Sequence, residues 1–357
     1  MNDLHNGRGY RRRICLGLLV IKYMNEMRYN QITFPGGPLA RILRAVIKGK
    51  PMYELPAPLG EQKSSSEKSR ILVSISEKAP MESVAIKAMF HELNKFSDVV
   101  SVYIHGSYAD ETTTSFSDID DYIIVEEARL TNKRFKSLII ALNKIDMRFC
   151  RADPLQHHGH WITSVSELGC YDNSFLPLFV LGEAKHVLGR NGLEAKVDMA
   201  SSRRGLCNNI GLTCEIIVLL FQKMRNNSIN AYELKCLVGS VALMPAYVFQ
   251  YLGEELSKPD AIKRAKEIYS SKSLEVIDWA TQCRKNWIAV TGNTRFRFFS
   301  ILPRLFCNPY VWRRTARSIA PKLTEKQLRE MTDIVLIEGS VLQFVRESRV
   351  VIENGHA

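Results

Sequence analysis

The chain has 357 residues, of which 46% are apolar, and a formal net charge of +12. This length and apolar content suffice for two domains with cores of their own. Eight cysteines are scattered without a Cys-x-x-Cys pair, which excludes a zinc-finger pattern and a disulfide framework and predicts reduced thiols in a cytoplasmic protein.

The charge is unevenly distributed. Residues 1–70 hold 13 Lys+Arg against 5 Asp+Glu, residues 71–200 hold 13 against 18, and residues 201–357 hold 23 against 14. An acidic middle between basic flanks is compatible with an anionic substrate such as a nucleoside triphosphate, a nucleic acid or a phosphorylated acceptor.

The first 70 residues predict a basic helical extension followed by a linker. We expect a helix over residues 14–27, a Pro-Gly-Gly-Pro turn over 35–38, a basic helix over 39–48 and a linker over 51–70. The apolar run after Arg11-Arg12-Arg13 has only eight residues and no small-residue cleavage site follows it, so we expect a buried helix or strand there and not a signal peptide. We expect no transmembrane segment elsewhere.

Residues 71–125 carry the stretch around which the chain is organised. A short strand at Ile71–Ile75 and an amphipathic helix over Met81–Phe96 lead into Val102–Val125, which predicts strand, turn, loop and strand. Because side chains on a strand alternate, Asp118 and Asp120 are expected on one side, with Ile119 in the core. Asp121 would face the other way, as a helper or a surface residue.

Two carboxylates on one side of a strand repel each other unless a cation lies between them. Hard oxygen ligands of this kind suit Mg²⁺ (or Mn²⁺), which in turn holds substrate phosphates. Gly106 permits close approach of the backbone, and Ser107 offers a hydroxyl and an N–H group to a phosphate oxygen. A solvated turn is the simpler interpretation, but Tyr122–Val125 is too apolar for a surface segment.

The combination of Ile104-His-Gly-Ser, a polar loop and Ser-Asp-Ile-Asp before an apolar strand resembles the signature of the DNA polymerase β-like nucleotidyltransferase superfamily. Its compact form is similar to the minimal and aminoglycoside nucleotidyltransferases. The resemblance implies an α+β fold, with a small mixed β-sheet domain and flanking helices followed by an all-α helical domain. It also implies metal-dependent transfer of NMP from an NTP, most commonly ATP, to an acceptor hydroxyl with release of pyrophosphate.

The same resemblance implies a third acid on the strand after the next helix. That helix is predicted from Thr131 to Leu142. The following Lys144-Ile-Asp-Met-Arg-Phe resembles the strand that carries the third acid in the minimal enzymes. Asp146 is therefore our first candidate for the third catalytic acid, beside Asp118 and Asp120. Alternatively, the helix continues through Ile145 and Phe149, and Asp153 or the strand over residues 158–165 lies at the site.

Three histidines follow in Gln156-His157-His158-Gly159-His160. In an extended segment His157 and His158 would point to opposite faces, which disfavours a metal site. One of them could instead contact a phosphate or act as an acid or base, or the histidines could be structural.

The nucleotidyltransferase domain is expected over residues 71–200 and a helical domain over 201–357. Helices are predicted over 210–224, over 232–252 with a kink at Pro245, over 260–268, over 274–287 and over 324–346. Phe175–Val187, running into His186-Val-Leu-Gly-Arg, resembles the stretch that follows the catalytic strands in the minimal enzymes.

From Trp279 to Thr324 there is no carboxylate, whereas nine Lys and Arg residues are interleaved with aromatic residues. This basic 284–322 region is a candidate site for nucleic acid, for another anionic ligand or for an anionic membrane surface.

Two rival interpretations remain beside the enzyme. One is a non-catalytic NTP- or RNA-binding regulatory protein of the same fold, and the other is a nucleic-acid-binding protein that works through the basic region. The acceptor is not indicated by the sequence.

Overall fold

A computed structural model describes residues 70–73, 83–109, 113–197, 199–332, 334–336 and 338–354. The helices and the turn expected before residue 50 lie outside these ranges, as does nearly all of the expected linker. The described residues belong to one unit that spans residues 37–357.

The central sheet has four strands in the order β4-β3-β2-β5. Strand β2 (Val99–His105) pairs antiparallel with β3 (Asp120–Val125) and with β5 (Lys185–Gly189), while β4 (Trp161–Ser164) lies parallel to β3. β2 and β3 are almost continuous runs of buried apolar residues, as expected for central strands. The sheet is therefore mixed, as the family resemblance implied.

Two helices flank these strands and contact each other. Helix α1 (Val84–Leu93) precedes β2, and α2 (Asn132–Ala152) connects β3 to β4. The side chain of Thr131 caps α2 by accepting a hydrogen bond from the N–H group of Arg134. A connection that contains a helix is what a parallel strand pair such as β3 and β4 requires.

A second, two-stranded sheet pairs β1 (Arg70–Val73) antiparallel with β6 (Leu193–Lys196). The short helix α3 (Leu178–Gly182) precedes β5. Buried residues of this part, including Tyr171 and Leu181, form one apolar cluster with Tyr103 and Tyr122 of the central sheet.

Beyond β6 the described residues are helical. The helices are α4 (Met199–Arg225), α5 (Ala231–Tyr251), α6 (Lys258–Arg264), α7 (Ser271–Lys285), α8 (Ile288–Thr291), α9 (Thr294–Ile301), α10 (Pro309–Ile319), α11 (Glu325–Met331) and α12 (Glu338–Asn354). Pro245 lies inside α5, and Asn230 with Glu233 forms a capping box at its start.

The helical part and the sheet part share a core. The largest apolar cluster contains residues of α4, α5, α7 and α12 together with Phe116 from the loop before β3 and Met147 and Cys150 from α2. Phe116 contacts the edge of the Trp287 ring, with 4.9 Å between ring centroids. The loop that carries Asp118 and leads into Asp120 is thus anchored in the helices. The domain boundaries at residues 70 and 200 stay predictions.

The single helix expected over residues 324–346 is wrong, since two helices, α11 and α12, occupy this region. Thr332 is extended, and its hydroxyl accepts a hydrogen bond from the N–H group of Ile334 and donates one to Gln282. A threonine side chain that bonds the backbone in this way competes with helix continuation.

By length and composition alone, two helices of the described chain could cross a membrane, namely α4 over Ser202–Arg225 and α5. The sequence prediction of no such segment missed them. In α5, 67% of the apolar window is buried, against 33% in α4. Core helices that are mostly buried pass the same test, so the absence of a transmembrane segment stays a prediction.

Candidate functional site

The Gly-Ser corner lies where β2 ends. Gly106, Ser107 and Tyr108 form a single 3₁₀ turn directly after His105. Gly106 has a φ of +67°, a left-handed conformation that glycine adopts without strain. A Cβ added there would lie 3.5 Å from Oδ2 of Asp120. The glycine-serine corner and the second aspartate are therefore in contact range, as the sequence predicted.

The two aspartates flank the start of β3. Asp120 is its first residue and pairs in register with His105, whereas Asp118 precedes the strand. Ile119 between them is buried. The side-chain amide of Gln156 accepts a hydrogen bond from the N–H group of Ile119 and donates one to its carbonyl oxygen. Gln156 thus takes the place of a neighbouring strand and fixes the backbone between the two carboxylates.

A lysine of the helical part joins this region. The ammonium of Lys235, in α5, donates a 2.7 Å hydrogen bond to Oδ1 of Asp118 and another to Oδ2 of Asp153. The side chain of Lys235 is only 1% exposed. We call Asp118, Asp120 and Asp153 the acid site.

The three carboxyl groups of the acid site differ in electrostatics. Burial alone would raise the pKa of Asp118, but Lys235 and then His157 outweigh it and hold that pKa well below its usual value. Burial and the neighbouring charge of Asp118 raise the pKa of Asp120 to about 7. Burial also raises the pKa of Asp153, to about 6, although Lys235 opposes the shift. One ammonium contacts two of three acids, so negative charge is in excess.

Further cations from the helical part approach the acid site. Arg284 of α7 and Lys235 both lie over the ring of Phe116, at 5.3 and 5.5 Å from its centroid. Burial lowers the pKa of Arg284, while the charge of Asp118 opposes this, and its Nε has no hydrogen-bond partner among the described residues. Lys258 at the start of α6 also lowers the pKa of Asp120. Sequence reasoning missed Lys235 and Lys258, which no local motif marks.

The strand expected at Asp146 is wrong, because α2 continues to Ala152. The alternative of a longer helix is the one found, and Ile145 and Phe149 are both buried on it. Asp146 forms a buried ion pair with Arg313 of α10, whose Nη2 also donates to the carbonyl oxygen of His158 at 2.8 Å. Asp153, at the end of α2, is the one that shares Lys235 with Asp118.

His157 and His158 do not point to opposite faces, because the segment 156–160 is not a strand. Their ring centroids are 3.8 Å apart, and Nδ1 of His157 lies 3.0 Å from Oδ2 of Asp118. Ligand atoms of Asp118, His157 and His158 lie within 4.8 Å of one another, close enough for a metal ion. Burial, followed by the charge of His157, holds the pKa of His158 well below its usual value, which keeps this imidazole neutral.

His160 and Asp121 form a separate, structural pair. Nδ1 of His160 lies 2.6 Å from Oδ2 of Asp121, and Nε2 lies 2.9 Å from the carbonyl oxygen of Leu142. Both side chains are buried, so Asp121 is not a surface residue. Burial opposes the charged imidazole, but Asp121 outweighs it and raises the pKa of His160 to about 9.

Asp118, His157 and His158, with Asp120 near them, could hold a divalent cation. Asp120 forms no hydrogen bond or ion pair with any residue that the structure describes, although it is largely enclosed and lies beside another carboxylate. Carboxylate oxygens suit Mg²⁺ and Mn²⁺, and the nearby imidazoles would favour Mn²⁺ over Mg²⁺.

Comparison with known proteins gives one family match. Residues 86–150 match the profile of the nucleotidyltransferase domain. This range includes β2, the Gly-Ser corner, both aspartates and most of α2. A search of curated proteins finds no significant match.

One solved structure is similar, that of spectinomycin adenyltransferase AAD(9) from Enterococcus faecialis with ATP and spectinomycin. The identity is 12%, the match covers 61% of this chain and 99% of the other, and the TM-score is 0.36. A TM-score this low does not define a common arrangement of the two chains.

The class of protein follows from the family match together with the Gly-Ser corner, the β2–β3 strand pair and the acid site. Residues 86–150 of the chain match a nucleotidyltransferase domain, in agreement with the resemblance to the DNA polymerase β-like nucleotidyltransferases. The protein is a nucleotidyltransferase enzyme in which helical elements supply cations to the acids of the domain.

Proposed function

We propose that the protein transfers a nucleoside monophosphate from an NTP, with ATP as the first candidate, to an acceptor hydroxyl and releases pyrophosphate. The observation that carries the proposal is Asp120, a largely enclosed carboxylate that lies against the Gly106 corner and beside Asp118 without a donor of its own among the described residues. This arrangement has excess negative charge that a bound cation would neutralise.

Asp118 and Asp120 would hold Mg²⁺ or Mn²⁺. When bound, the ion would neutralise phosphate charge and polarise the phosphorus that is attacked. Gly106 and Ser107 would contact the terminal phosphates through backbone N–H groups and the serine hydroxyl. Their position next to Asp120 supports this role.

Lys235 and Arg284 extend the phosphate contacts. Both cations lie on the ring of Phe116, and Lys235 contacts Asp118 directly. We infer that the triphosphate draws the Lys235 ammonium partly away from Asp118, which frees a carboxylate oxygen for the metal ion. Positioning and charge stabilisation of this kind are the main contributions of a protein to phosphoryl-group transfer.

We propose Asp153, and not Asp146, as the third acid. A base for the acceptor hydroxyl works best with a pKa near the working pH, and the pKa of Asp153 is raised to about 6. Asp146 is instead committed to Arg313. As NMP is transferred, the acceptor oxygen forms a bond to the α-phosphorus, the bond to pyrophosphate breaks, and the hydroxyl proton goes to Asp153.

The basic 284–322 region divides into two parts. Arg284 lies inward near the acid site, and Arg313 lies inward in its ion pair with Asp146. In contrast, Arg295, Arg297 and Arg304 are exposed. We propose that only Arg284 from this region contacts the NTP. The labelling experiment below assigns the acceptor to a small molecule, a protein side chain or an RNA end.

The test is incubation of the purified chain with each α-labelled NTP, Mg²⁺ or Mn²⁺ and a cell extract. We expect label on a metabolite, protein or RNA fraction with wild type, and none with Asp118→Asn/Asp120→Asn. Asp278→Asn, at an exposed position of α7, is the matched control and should transfer like wild type.

Binding of labelled NTP without transfer to any fraction would contradict the proposal and would indicate a nucleotide-binding regulatory protein. Transfer that survives in the double variant would exclude the acid site as its origin.

A further inference from the structure

A second surface, away from the acid site, combines exposed apolar side chains with unpaired cations. It lies on α8, α9, the turn after α9 and the end of α10. We call it the basic apolar surface, and its exposed large apolar residues are Ile288, Phe298, Ile301, Leu305 and Ile319. Phe298 is 71% and Leu305 76% exposed. Apolar side chains this exposed are ordinary when single, but a group on adjacent elements marks an interaction site.

These side chains belong to one continuous area. Phe298, Ile301 and Ile319 line the same open cavity of about 470 Å³, together with Arg295. α8 contacts α9, and α9 contacts the turn that carries Leu305. A single partner could therefore contact Phe298, Ile301 and Ile319 together, with Ile288 and Leu305 on the neighbouring elements.

The charge of this surface has one sign. Arg295, Arg297 and Arg304 are exposed, and none of them forms an ion pair with a carboxylate of the described chain. The sequence from Trp279 to Thr324 contains no Asp or Glu that could neutralise them. The partner is thus anionic as well as apolar.

The aromatic residues distinguish between RNA and a lipid surface. Single-stranded nucleic acid binds through bases that stack on exposed aromatic rings. Here Phe296, Phe299 and Trp312 are buried and pack on one another, at 5.7 and 5.4 Å between centroids. Phe298 is the single aromatic residue among the exposed large apolar side chains of this surface, and the other four are aliphatic.

Exposed aliphatic side chains offer no ring to a base, but they gain free energy when they enter the boundary between lipid headgroups and acyl chains. Arginines beside them contact lipid phosphates, and each cation near an anionic leaflet adds to the affinity. The surface has this composition, because α9 and the turn after it carry Arg295, Arg297 and Arg304 as well as Phe298, Ile301 and Leu305.

We propose that the basic apolar surface binds the face of an anionic phospholipid bilayer. Phe298, Ile301 and Leu305 insert into the headgroup region, and Arg295, Arg297 and Arg304 contact the phosphates. This binding is peripheral and is independent of nucleotidyl transfer, because none of these residues contacts the acid site.

The test is co-sedimentation of the full chain with vesicles of phosphatidylcholine alone or of phosphatidylcholine mixed with phosphatidylglycerol. We expect binding to the mixed vesicles and not to the neutral ones, with affinity that falls as salt is added. Phe298→Ser/Leu305→Ser should weaken binding by about tenfold or more, because it removes most of the insertion. Arg297→Gln/Arg304→Gln should weaken it similarly.

Two control variants match these changes. Leu252→Ser removes an exposed leucine at the end of α5, and Lys266→Gln/Lys272→Gln removes two exposed cations elsewhere on the helical part. Both should bind mixed vesicles like wild type. Since all the changed positions are exposed, unchanged circular dichroism of each variant verifies that the fold is kept.

Failure to bind mixed vesicles would overturn the proposal. Vesicle binding that is unaffected by Phe298→Ser/Leu305→Ser would also overturn it, because the binding would then come from non-specific charge attraction without insertion of apolar side chains. Tight binding to single-stranded poly(U) RNA that displaces the chain from vesicles, and that is equally insensitive to this variant, would assign the arginines to nucleic acid instead.

Discussion

Two groups of buried carboxylates lie close together in this protein and differ in how their charge is matched. In the first group, Asp146 forms an ion pair with Arg313 and Asp121 forms one with His160, so each acid is paired with a cation of its own. In the acid site, by contrast, Asp118 and Asp153 share Lys235, and Asp120 has no ion pair with any residue in the described chain.

This difference distinguishes acids with a structural role from acids with a role in binding or catalysis. A buried acid with a dedicated cation is largely neutralised, and such a pair fixes how two elements pack. An excess of carboxylates in an enclosed site costs stability and raises pKa values, here those of Asp120 and Asp153. Such an excess is retained where a ligand supplies the missing positive charge. The following predictions test this distinction.

The largest effect is expected for Asp120→Asn. Label transfer should fall by roughly a thousandfold or more, because the metal ion loses a charged ligand. At pH 8 the free energy of unfolding should rise by about 3 kcal/mol, because an enclosed carboxylate with a raised pKa no longer has to ionise. Transfer assays and urea unfolding measure the two quantities.

Asp278→Asn serves again as the control and should change neither quantity. A variant Asp120→Asn that is strongly destabilised would show that Asp120 has a structural partner, contrary to the distinction drawn here.

Lys235→Met should lower transfer by about a hundredfold, mainly through a higher KM for the NTP, because a phosphate contact is lost. The variant should also unfold more easily, since Asp118 and Asp153 lose their common cation. Kinetics at varied NTP concentration separate KM from kcat.

Lys223→Met is the matched control. The side chain of Lys223 is 43% exposed, and its partner Glu233 keeps the hydrogen bond from the N–H group of Asn230, so the loss of Lys223 should cost little. An unchanged KM in Lys235→Met would remove this lysine from the phosphate site.

Asp146→Asn and Asp153→Asn should show opposite patterns. The first should lower the free energy of unfolding by about 3 kcal/mol, because Arg313 is left buried without its acid, while transfer stays within severalfold of wild type. The second should lower kcat by about a hundredfold with a smaller loss of stability. If Asp146→Asn keeps its stability and loses transfer, Asp146 is the third acid after all.

The smallest effect concerns pH. His160 has a folded-state pKa of about 9, above the unfolded value, so its contribution to stability is complete below about pH 6.5 and is lost as pH rises through 9. Urea unfolding of wild type should show a loss of about 2 kcal/mol between pH 6 and pH 10 that His160→Gln lacks. His91→Gln, at an exposed position of α1, should retain the wild-type loss. A pH dependence that persists in His160→Gln would assign it to another group.

Much of the catalytic sheet was predictable, because its signals are local. The apolar run of β2, the Gly106-Ser107 break and the run after Asp120 stand close together in the chain, and backbone geometry alone turns them into strand, corner and strand. The third acid was not predictable in the same way. Ile145 and Phe149 keep helical spacing through Asp146, and whether that helix ends before or after this residue depends on what packs against it.

By itself, then, the sequence determined the Gly-Ser corner, the two aspartates before an apolar strand and the helical character of the second half. Only the tertiary structure decided which acids share a cation and which are paired apart. Lys235 lies 117 residues from Asp118 in the chain, and Arg313 lies 167 residues from Asp146. Periodicity and turns arise from neighbouring residues, whereas pairing between distant charges arises only when the packed helices bring them together.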